Sequence, residues 1–426
     1  MGTRRPTENE NAQPDLPIPE PLRGAEYDSF AYHSIVERLP RIGRRVLAEN
    51  DFSPETQARL ETLLDSIPQG EIRLLRDVDA PDTAAWVEYV APHLDQDWLQ
   101  VPWFFAETYF YRRILEAISY FQPGSERHDP FAPHKAQSLH ASWEAITTLA
   151  RQQVAWQQRG WDEASFYRLS GQALWGNQKD LSMWPTGEAD QPAHGDEAGA
   201  QAHLLLDDSA AVATYLAQLR PRKVRVDFLM DNAGLELVGD LALVDYLLAS
   251  GVADHVVLHL KAHPTFVSDA MPKDVQETLD YLANGAAATQ ALVRRLRQHL
   301  AAARGAARGA ARMEMVAHPF WTSPLAMWEM PVALRRSLSE AHLVISKGDA
   351  NYRRLLGDRH WPFSAPFAQI VSYFPAPLLA LRTLKSEVAA GLDPAQVAVL
   401  EEEEQPWLTS GRWGMIQAAG LLPAAR

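Results

Sequence analysis

Residues 226–236 read Val-Asp-Phe-Leu-Met-Asp-Asn-Ala-Gly-Leu-Glu, and this stretch decides the fold. A mostly apolar run that suits a β-strand ends abruptly at Asp231 and Asn232. A turn of small residues then leads to Glu236 and an amphipathic stretch at 237–248. In an open α/β sheet, ligands bind outside the carboxyl ends of the strands. The Asp-Asn pair therefore offers oxygen ligands to a divalent cation or to a sugar hydroxyl, although the same residues also favour a simple turn.

Size, charge and composition limit the classes of function. A chain of 426 residues can hold two domains and a large core. Its net charge of -14 argues against nonspecific binding to nucleic acid or acidic membranes. The absence of cysteine excludes disulfides, thiolate metal sites and a cysteine nucleophile. We expect a cytoplasmic protein without nucleic-acid or membrane partners, because the sequence shows neither a signal peptide nor a long uncharged apolar segment. The oligomeric state is left open.

Two hydrophobic patterns divide the chain. Residues 1–25 are rich in Pro, Glu, Asn and Arg and predict a mobile arm. Helical spacing of apolar residues predicts a helical domain with pocket-lining loops at 26–200. In residues 201–426, short apolar runs alternate with helical stretches, which is typical of an α/β domain with a mainly parallel sheet. The predicted strands are residues 224–230, 255–260, 313–317, 343–346 and 377–381.

Polar side chains follow these predicted strands. Asp231 and Asn232 follow the first strand, and Asp269 follows the second after a short extended piece. One edge of the sheet would thus combine carboxylates and an amide with several cations. Phosphoryl chemistry needs this combination, because a divalent cation polarises phosphoryl oxygens while Lys and Arg neutralise the remaining charge. The polar residues after the fourth and fifth strands are Lys347, Asp349, Asn351, Tyr352, Arg353, Arg382 and Lys385.

Each strand end also has a structural alternative. Asp349 and Asp269 can cap the helices that follow them. Arg382 and Lys385 can belong to a solvated helix start. Because these separate turns are polar in a complementary way, we favour the functional interpretation. We expect Lys385 to contact the substrate and Arg382 to brace the turn through a carboxylate.

The helical half carries two further polar groups. Glu107 and Arg112 lie in an aromatic-rich helical stretch and either line a pocket or form a buried Glu–Arg pair that joins the two halves. Glu107 and Tyr111 are four residues apart, on one helix face. Asn177 and Asp180 lie in a predicted loop, where such side chains can bind sugar hydroxyls.

Seven ordered motifs make the chain resemble the metal-dependent damage-control phosphatases, in particular their subfamily III. The resemblance runs from about residue 29 to residue 392 and includes the Arg-Thr-x-Lys motif at 382–385, which marks that subfamily. A protein-glutamate methyltransferase activity has also been described within the family. The matching pieces are residues 103–109 with 111–113, 174–177 with Asp180, 231–236 with Asp240, 266–269, 318–321, 347–353 and 381–385.

The resemblance implies a fold and a cofactor. The fold is a helical N-terminal domain packed on a Rossmann-like α/β/α domain with a mainly parallel sheet. The cofactor is a divalent metal (manganese, cobalt, nickel or magnesium) held by Asp231, Asn232 and Asp269. Catalytic roles are expected for Asp231, Asp269 and Lys347. The expected substrate-binding residues are Glu107, Arg112, Asn177, Asp180, Glu236, Asp349, Asn351, Tyr352, Arg353, Arg382 and Lys385.

Three classes of function follow from these expectations. The favoured one is a phosphatase for small sugar phosphates such as fructose 1-phosphate or fructose 6-phosphate, with Lys347, Arg353 and Lys385 stabilising charge. The alternative is an S-adenosylmethionine-dependent protein-glutamate methyltransferase, with Glu236 and Asp269 near the methyl donor. The first strand lacks the glycine-rich loop typical of such enzymes. A noncatalytic sugar-phosphate-binding protein is the third class, and retention of all three oxygen ligands argues against it.

Overall fold

One sheet, parallel except at a single strand pair, organises the protein. The computed structural model describes residues 12–122, 124–125, 127–157, 160–176, 201–220, 222–305 and 312–421. Within these ranges the sheet has seven strands in the order β1-β7-β6-β5-β2-β3-β4, and only β6 and β7 pair antiparallel. The strands are β1 (Leu204–Asp207), β2 (Arg225–Leu229), β3 (His255–Leu260), β4 (Met313–Ala317), β5 (Leu343–Lys347), β6 (Leu378–Thr383) and β7 (Gly414–Ala419).

The predicted α/β class and the mainly parallel sheet are confirmed. The five predicted strands correspond to β2 through β6, with ends that differ by two residues at most. The apolar pattern does not predict β1 or β7. β1 has only four residues, and β7 consists largely of small residues, so neither carries a clear strand pattern.

Helices cover the sheet and build the N-terminal half. Ser53, Asp162 and Asp393 begin three of them by accepting hydrogen bonds from backbone N–H groups of the first turn. The helices before the sheet are α1 (Phe30–His33), a π-helical turn (Ser34–Arg38), α2 (Leu39–Glu49), α3 (Pro54–Asp65), α4 (Thr83–Val90), α5 (Trp103–Ala117), α6 (Ala132–Ala141), α7 (Trp143–Gln157) and α8 (Glu163–Trp175). The later ones are α9 (Ser209–Gln218), α10 (Leu235–Ala249), α11 (Pro272–Ala283), α12 (Ala287–Gly305), α13 (Val332–Leu338), α14 (Gly348–Leu355), α15 (Phe367–Ile370) and α16 (Pro394–Glu403).

Helix α10 is buried on every side rather than amphipathic. All of its residues from Leu235 to Leu248 are buried, so the predicted amphipathic stretch is wrong. Helices α7, α8 and α12 pack over its outer surface. Its two internal carboxylates have buried partners: Lys347 lies 3.0 Å from Asp240, and Arg295 lies 2.9 Å from Asp245. Polar residues on a helix therefore do not identify a solvated face when cations are buried beside them.

The two faces of the sheet pack against two separate apolar cores. Val344 of β5 belongs to the core formed with α2, α3 and α5, whereas the next residue, Ile345, belongs to the core formed with α7, α8 and α10. This alternation is expected for a strand that is covered on both faces. Helices α7 and α8, which fall in the predicted helical domain 26–200, thus share a core with the sheet. The predicted boundary at residue 200 remains a prediction.

Residues 12–25, part of the predicted mobile arm, are hydrogen-bonded to the rest of the protein. The backbone N–H of Asp15 donates to the Gln369 carbonyl at 3.0 Å. Leu22 is buried, donates to the Asp358 carbonyl at 3.0 Å and accepts from the Trp103 N–H at 2.8 Å. These contacts differ from the predicted arm because the apolar Leu22 joins the core and its backbone groups find partners.

The described ranges contain no helix that is both long enough and apolar enough to cross a membrane.

Candidate functional site

The candidate site lies where the direction of the chain connections reverses. Strands β2 and β5 are neighbours, but the chain continues from β2 to β3 on one side and from β5 to β6 on the other. Ligands of open α/β sheets bind in the crevice at such a point. A pocket there is lined by strand-end residues and by helix α5 and the π-helical turn. Its charged lining residues are Arg38, Glu107, Asp231, Glu236, Asp269, Asp349, Arg353 and Lys385.

The predicted metal ligands meet in this pocket. Asn232 Nδ2 donates to Asp231 Oδ2 at 2.6 Å and to Glu236 Oε2 at 2.9 Å. Ser268 Oγ donates to Asn232 Oδ1 at 2.5 Å, and Asn232 forms an isolated β-bridge with Asp269. All of these side chains are buried. The sequence therefore predicted correctly that Asp231, Asn232 and Asp269 would come together at the strand ends.

Gly348 lets the next strand end approach Asp231. Its φ is 82°, a left-handed conformation that glycine adopts without penalty. A Cβ atom at this position would lie 1.9 Å from Asp231 Oδ2 and 2.1 Å from its Cγ. No other residue fits between β5 and α14 without displacing the Asp231 carboxylate.

Burial and like charge act on the carboxylates. Burial raises the pKa of Asp231 well above its ordinary value, and Glu236 and Asp269 raise it further. Burial also raises the pKa of Asp269, an effect that Lys261 opposes from 3.0 Å. The ionised forms of these groups repel one another at close range, so a bound cation would stabilise them.

Lys347 lies beneath the pocket and does not line it. Its ammonium contacts Glu236 and Asp240 at 3.0 Å each and donates to the Ala173 carbonyl at 2.7 Å. Burial lowers the pKa of Lys347, but the two carboxylates raise it above its ordinary value overall. The structure therefore places this predicted catalytic residue where it orients Glu236, because the last residue of β5 points to the covered face of the sheet.

Asp349 connects α14 to the Arg-Thr-x-Lys turn. Arg382 Nε donates to Asp349 Oδ1 at 2.7 Å, and Ser386 Oγ donates to the same atom at 3.0 Å. Arg382 is fully buried over the Tyr352 ring and is absent from the pocket lining. Lys385 does line the pocket, and within the described residues its ammonium makes no ion pair or hydrogen bond. This geometry matches the expected division between a bracing Arg382 and a pocket-facing Lys385.

Glu107 joins the helical half to the α/β half. Its buried carboxylate pairs with Arg38 of the π-helical turn and with Arg353 of α14. Arg353 also contacts Asp358 at 2.7 Å, and its guanidinium stacks 3.6 Å from the centre of the Trp103 ring. A Glu–Arg pair between the two halves is thus present, with Arg353 rather than Arg112 as its arginine, and both of its members line the pocket.

Breaking this pair should destabilise the fold. Glu107→Gln removes the buried carboxylate that Arg38 and Arg353 share, while Arg353 retains Asp358. We expect a loss of about 3 kcal/mol in the free energy of unfolding, the lower end for breaking a buried ion pair. Urea unfolding of this variant can be compared with Glu55→Gln, which breaks an exposed pair with Arg59 and should cost less than about 1 kcal/mol. Equal losses in the two variants would contradict a stabilising role for Glu107.

Besides Arg382, three predicted substrate-binding residues are used elsewhere in the structure. Arg112 binds Asp82 at 2.8 Å and Asp77 at 2.8 Å, away from the pocket. The Asn351 amide donates to backbone carbonyls at the end of β2, and the Tyr352 hydroxyl donates to a glutamine side chain of β7. Their polar groups are satisfied by the fold, which the sequence motif alone does not reveal. Asn177 and Asp180 lie outside the described residues.

Two cations near the site were not predicted. Lys261 follows β3 directly, so the rule that selected the other strand-end residues would have found it. Arg38 reaches the pocket from a π-helical turn, a rare conformation that often occurs at functional sites. Its position depends on long-range packing and has no local sequence signal.

The residues just before Asp269 form a strained turn that lines the pocket. Phe266 and Val267 have φ values of 46° and 65°, and the Ser268 N–H donates to the Phe266 carbonyl at 2.8 Å. This pattern is that of a γ-turn with positive φ, which is rare and strained. A left-handed conformation costs roughly 1–2 kcal/mol per non-glycine residue, and β-branched Val267 is especially unsuited to it.

The donor set fits a hard divalent cation by its chemistry. Asp231, Asn232 and Asp269 supply carboxylate and amide oxygens, which such ions prefer. These three residues include only two carboxylates, and within the described ranges no group of three or more His, Asp or Glu side chains has the arrangement of a metal site. The pocket lining carries five carboxylates and three cations, a formal charge of -2. Lys261, Lys347 and Arg382 lie behind that lining, and each pairs with one of its carboxylates.

A family model and the sequences of known relatives agree on one family. Residues 34–400 match the family model described as the damage-control phosphatase ARMT1-like domain. The chain is similar to the damage-control phosphatase ARMT1 of Danio rerio, with 32% identity over 94% of this chain and 96% of that protein. The Homo sapiens protein of the same name is 31% identical over 95% of this chain and 99% of its own length. A crystal structure of a DUF89 family protein from Pyrococcus horikoshii covers 87% of this chain and 94% of its own, at 13% identity and a TM-score of 0.46.

Proposed function

Because the chain belongs to the damage-control phosphatase ARMT1-like domain family, we propose that it is a metal-dependent phosphatase of small sugar phosphates, such as fructose 1-phosphate or fructose 6-phosphate. The observation that carries this proposal is that Asp231, Asn232 and Asp269 line the same pocket as Lys385. Carboxylate and amide oxygens suit a divalent cation, and a lysine suits a phosphate. A pocket of this kind becomes suitable for a phosphate once a divalent cation is bound beside it.

We infer that Asp231, Asn232 and Asp269 hold this cation, which is manganese, cobalt, nickel or magnesium. When bound, such a cation polarises phosphoryl oxygens and lowers the pKa of a bound water. Lys261 and Lys347 hold the surrounding carboxylates Asp269 and Glu236 in place from 3.0 Å. Gly348 leaves room for the Asp231 carboxylate at the same point.

Lys385 is the side chain that the proposal assigns to the phosphate. It lines the pocket, and the neighbouring Arg382–Asp349 ion pair fixes the turn that carries it. Lysine is a common phosphate ligand and acts as a compact point charge. Arg38 and Arg353 also line the pocket, but each is paired with Glu107.

Removing the Lys385 charge should weaken turnover without removing the metal. For Lys385→Ala we expect kcat/KM for fructose phosphates to fall. The decrease should correspond to a loss of about 1.5–3 kcal/mol in transition-state stabilisation, the scale of a charge-assisted hydrogen bond. Metal content, measured on the same preparation, should equal that of the wild type, because Lys385 does not contact the proposed ligands. The exposed Lys223→Ala serves as the control. Unchanged kinetics, or joint loss of metal and fold, would mean that Lys385 has a structural role.

A metal-resolved substrate screen tests the proposal as a whole. Purified protein is assayed for phosphate release from a panel of sugar phosphates with manganese, cobalt, nickel or magnesium, and with a chelator as control. The proposal requires metal-dependent release that the chelator abolishes. If the protein instead transfers a methyl group from S-adenosylmethionine to a carboxylate without releasing phosphate, the methyltransferase alternative is correct. Binding of sugar phosphates without either reaction would identify a noncatalytic binding protein.

A further inference from the structure

The strained turn at Phe266 and Val267 is held in place from the helical half. The Phe266 ring lies 5.2 Å from the Tyr111 ring and 5.8 Å from the Phe104 ring, measured between ring centres. Both partners belong to α5, and both are buried. Strained backbone persists only where its surroundings over-determine it. Two aromatic contacts from α5 therefore help to hold the first residue of the turn.

The other end of the turn is joined to the proposed metal ligands. Ser268 donates its hydroxyl to Asn232 at 2.5 Å, and its carbonyl accepts from the Ala233 N–H at 2.7 Å. The Ala270 N–H donates to the Asp231 carbonyl at 2.7 Å. Asp269 lies between these two backbone bonds. Its position beside Asp231 therefore depends on the conformation of the turn that precedes it.

We propose that Phe266 is a positioning residue for the metal site. Its ring, held by Phe104 and Tyr111, keeps Val267 in the left-handed conformation, and this conformation places Asp269 beside Asp231. The inference rests on the proposed function in one respect, because Asp269 would bind the divalent cation of that proposal. It adds that the helical half determines how well the α/β half binds that cation.

Metal affinity is the property that this role predicts, and it can be measured without substrate. Phe266→Ala removes both ring contacts, so the turn can relax to an unstrained conformation and move Asp269. We expect the affinity for Mn²⁺, measured by calorimetric titration of the chelator-treated full-length protein, to fall at least about tenfold, the scale seen when a residue that orients a metal ligand is lost. The control is Phe105→Ala, because Phe105 is a buried phenylalanine of α5 that stacks on Tyr109 and does not line the pocket. Its Mn²⁺ affinity should match the wild type.

A double variant separates positioning from simple packing. Glycine adopts positive φ without penalty, so Val267→Gly lets the turn form without the help of Phe266. If Phe266 acts by holding the strained turn, Phe266→Ala/Val267→Gly should recover Mn²⁺ affinity to within about threefold of the wild type. A packing role predicts the opposite, because the second substitution removes more buried apolar surface and cannot restore affinity.

The outcomes separate this inference from the proposed function. If the wild type binds no Mn²⁺, Co²⁺, Ni²⁺ or Mg²⁺, the metal site itself is wrong. If the wild type binds Mn²⁺ and Phe266→Ala binds it equally well, or the double variant shows no recovery, the positioning role is wrong while the metal site stands. Thermal unfolding establishes that each variant is folded. Should Phe266→Ala not fold, Phe266→Leu with and without Val267→Gly provides the same comparison.

Discussion

Asp231→Asn should reduce metal-dependent phosphate release by at least about 10³-fold. Removing one preorganised electrostatic group from an active site costs about 10²–10³ in rate, and the loss of a metal ligand adds weaker metal binding. Asp231 is a proposed ligand whose position is fixed by its neighbours: Asn232 donates to its carboxylate, Gly348 approaches it closely, and the Ala270 N–H donates to its backbone carbonyl. Phosphate release, measured at saturating Mn²⁺, reports the loss in rate, and metal content reports the weaker metal binding.

The same substitution should leave the fold intact. Asp231 is buried beside the like charges Glu236 and Asp269, and a neutral amide relieves that repulsion. We expect the thermal midpoint of Asp231→Asn in the presence of chelator to equal or exceed that of the wild type. The exposed Asp51→Asn is the control for the substitution itself. Phosphate release within tenfold of the wild type would show that Asp231 is not a metal ligand.

Gly348→Ala should have the second largest effect. The added Cβ atom would lie 1.9 Å from Asp231 Oδ2, so either the carboxylate or the β5–α14 turn has to move. A displacement of about 1 Å in a catalytic group can cost about 10²-fold, and we expect a loss of that size or larger in kcat/KM. Alanine at a positive φ also destabilises the fold, by more than about 1 kcal/mol.

A second glycine provides a sharp control for this prediction. Gly171 lies in α8, and a Cβ atom there meets no other atom within 4 Å. Gly171→Ala should therefore raise the thermal midpoint, because alanine is the better helix former by about 0.5–1 kcal/mol. Its activity should equal that of the wild type. Similar activities for Gly348→Ala and Gly171→Ala would show that the close approach to Asp231 is unimportant.

Strand order explains why part of the site was predictable from sequence. Each of Asp231, Asn232 and Asp269 follows a parallel strand, and the carboxyl ends of parallel strands meet at one edge. The pairing of Arg382 with Asp349 also follows from position, because both residues lie at the ends of the adjacent strands β5 and β6. Local sequence was sufficient wherever the backbone alone brings two residues together.

Side-chain direction explains most of what the sequence did not predict. Lys347 is a strand residue, and alternation directs it under Glu236 rather than into the pocket. Asn351, Tyr352 and Arg112 sit in the family motifs, yet buried partners occupy their polar groups. Partners of this kind come from distant parts of the chain, and a motif contains no information about them.

The complete enclosure of α10 has a consequence for how the protein assembles during synthesis. Helices α7 and α8 are synthesised before α10. The apolar surfaces with which they later cover α10 therefore have no partner until that helix has been synthesised. Strand β3, which contacts α10, comes later still. The nascent chain therefore carries an unfinished core over a long stretch of translation, a period in which chaperone protection counts most. We therefore expect the strand edge that carries the candidate site and this core to be completed together, late in synthesis.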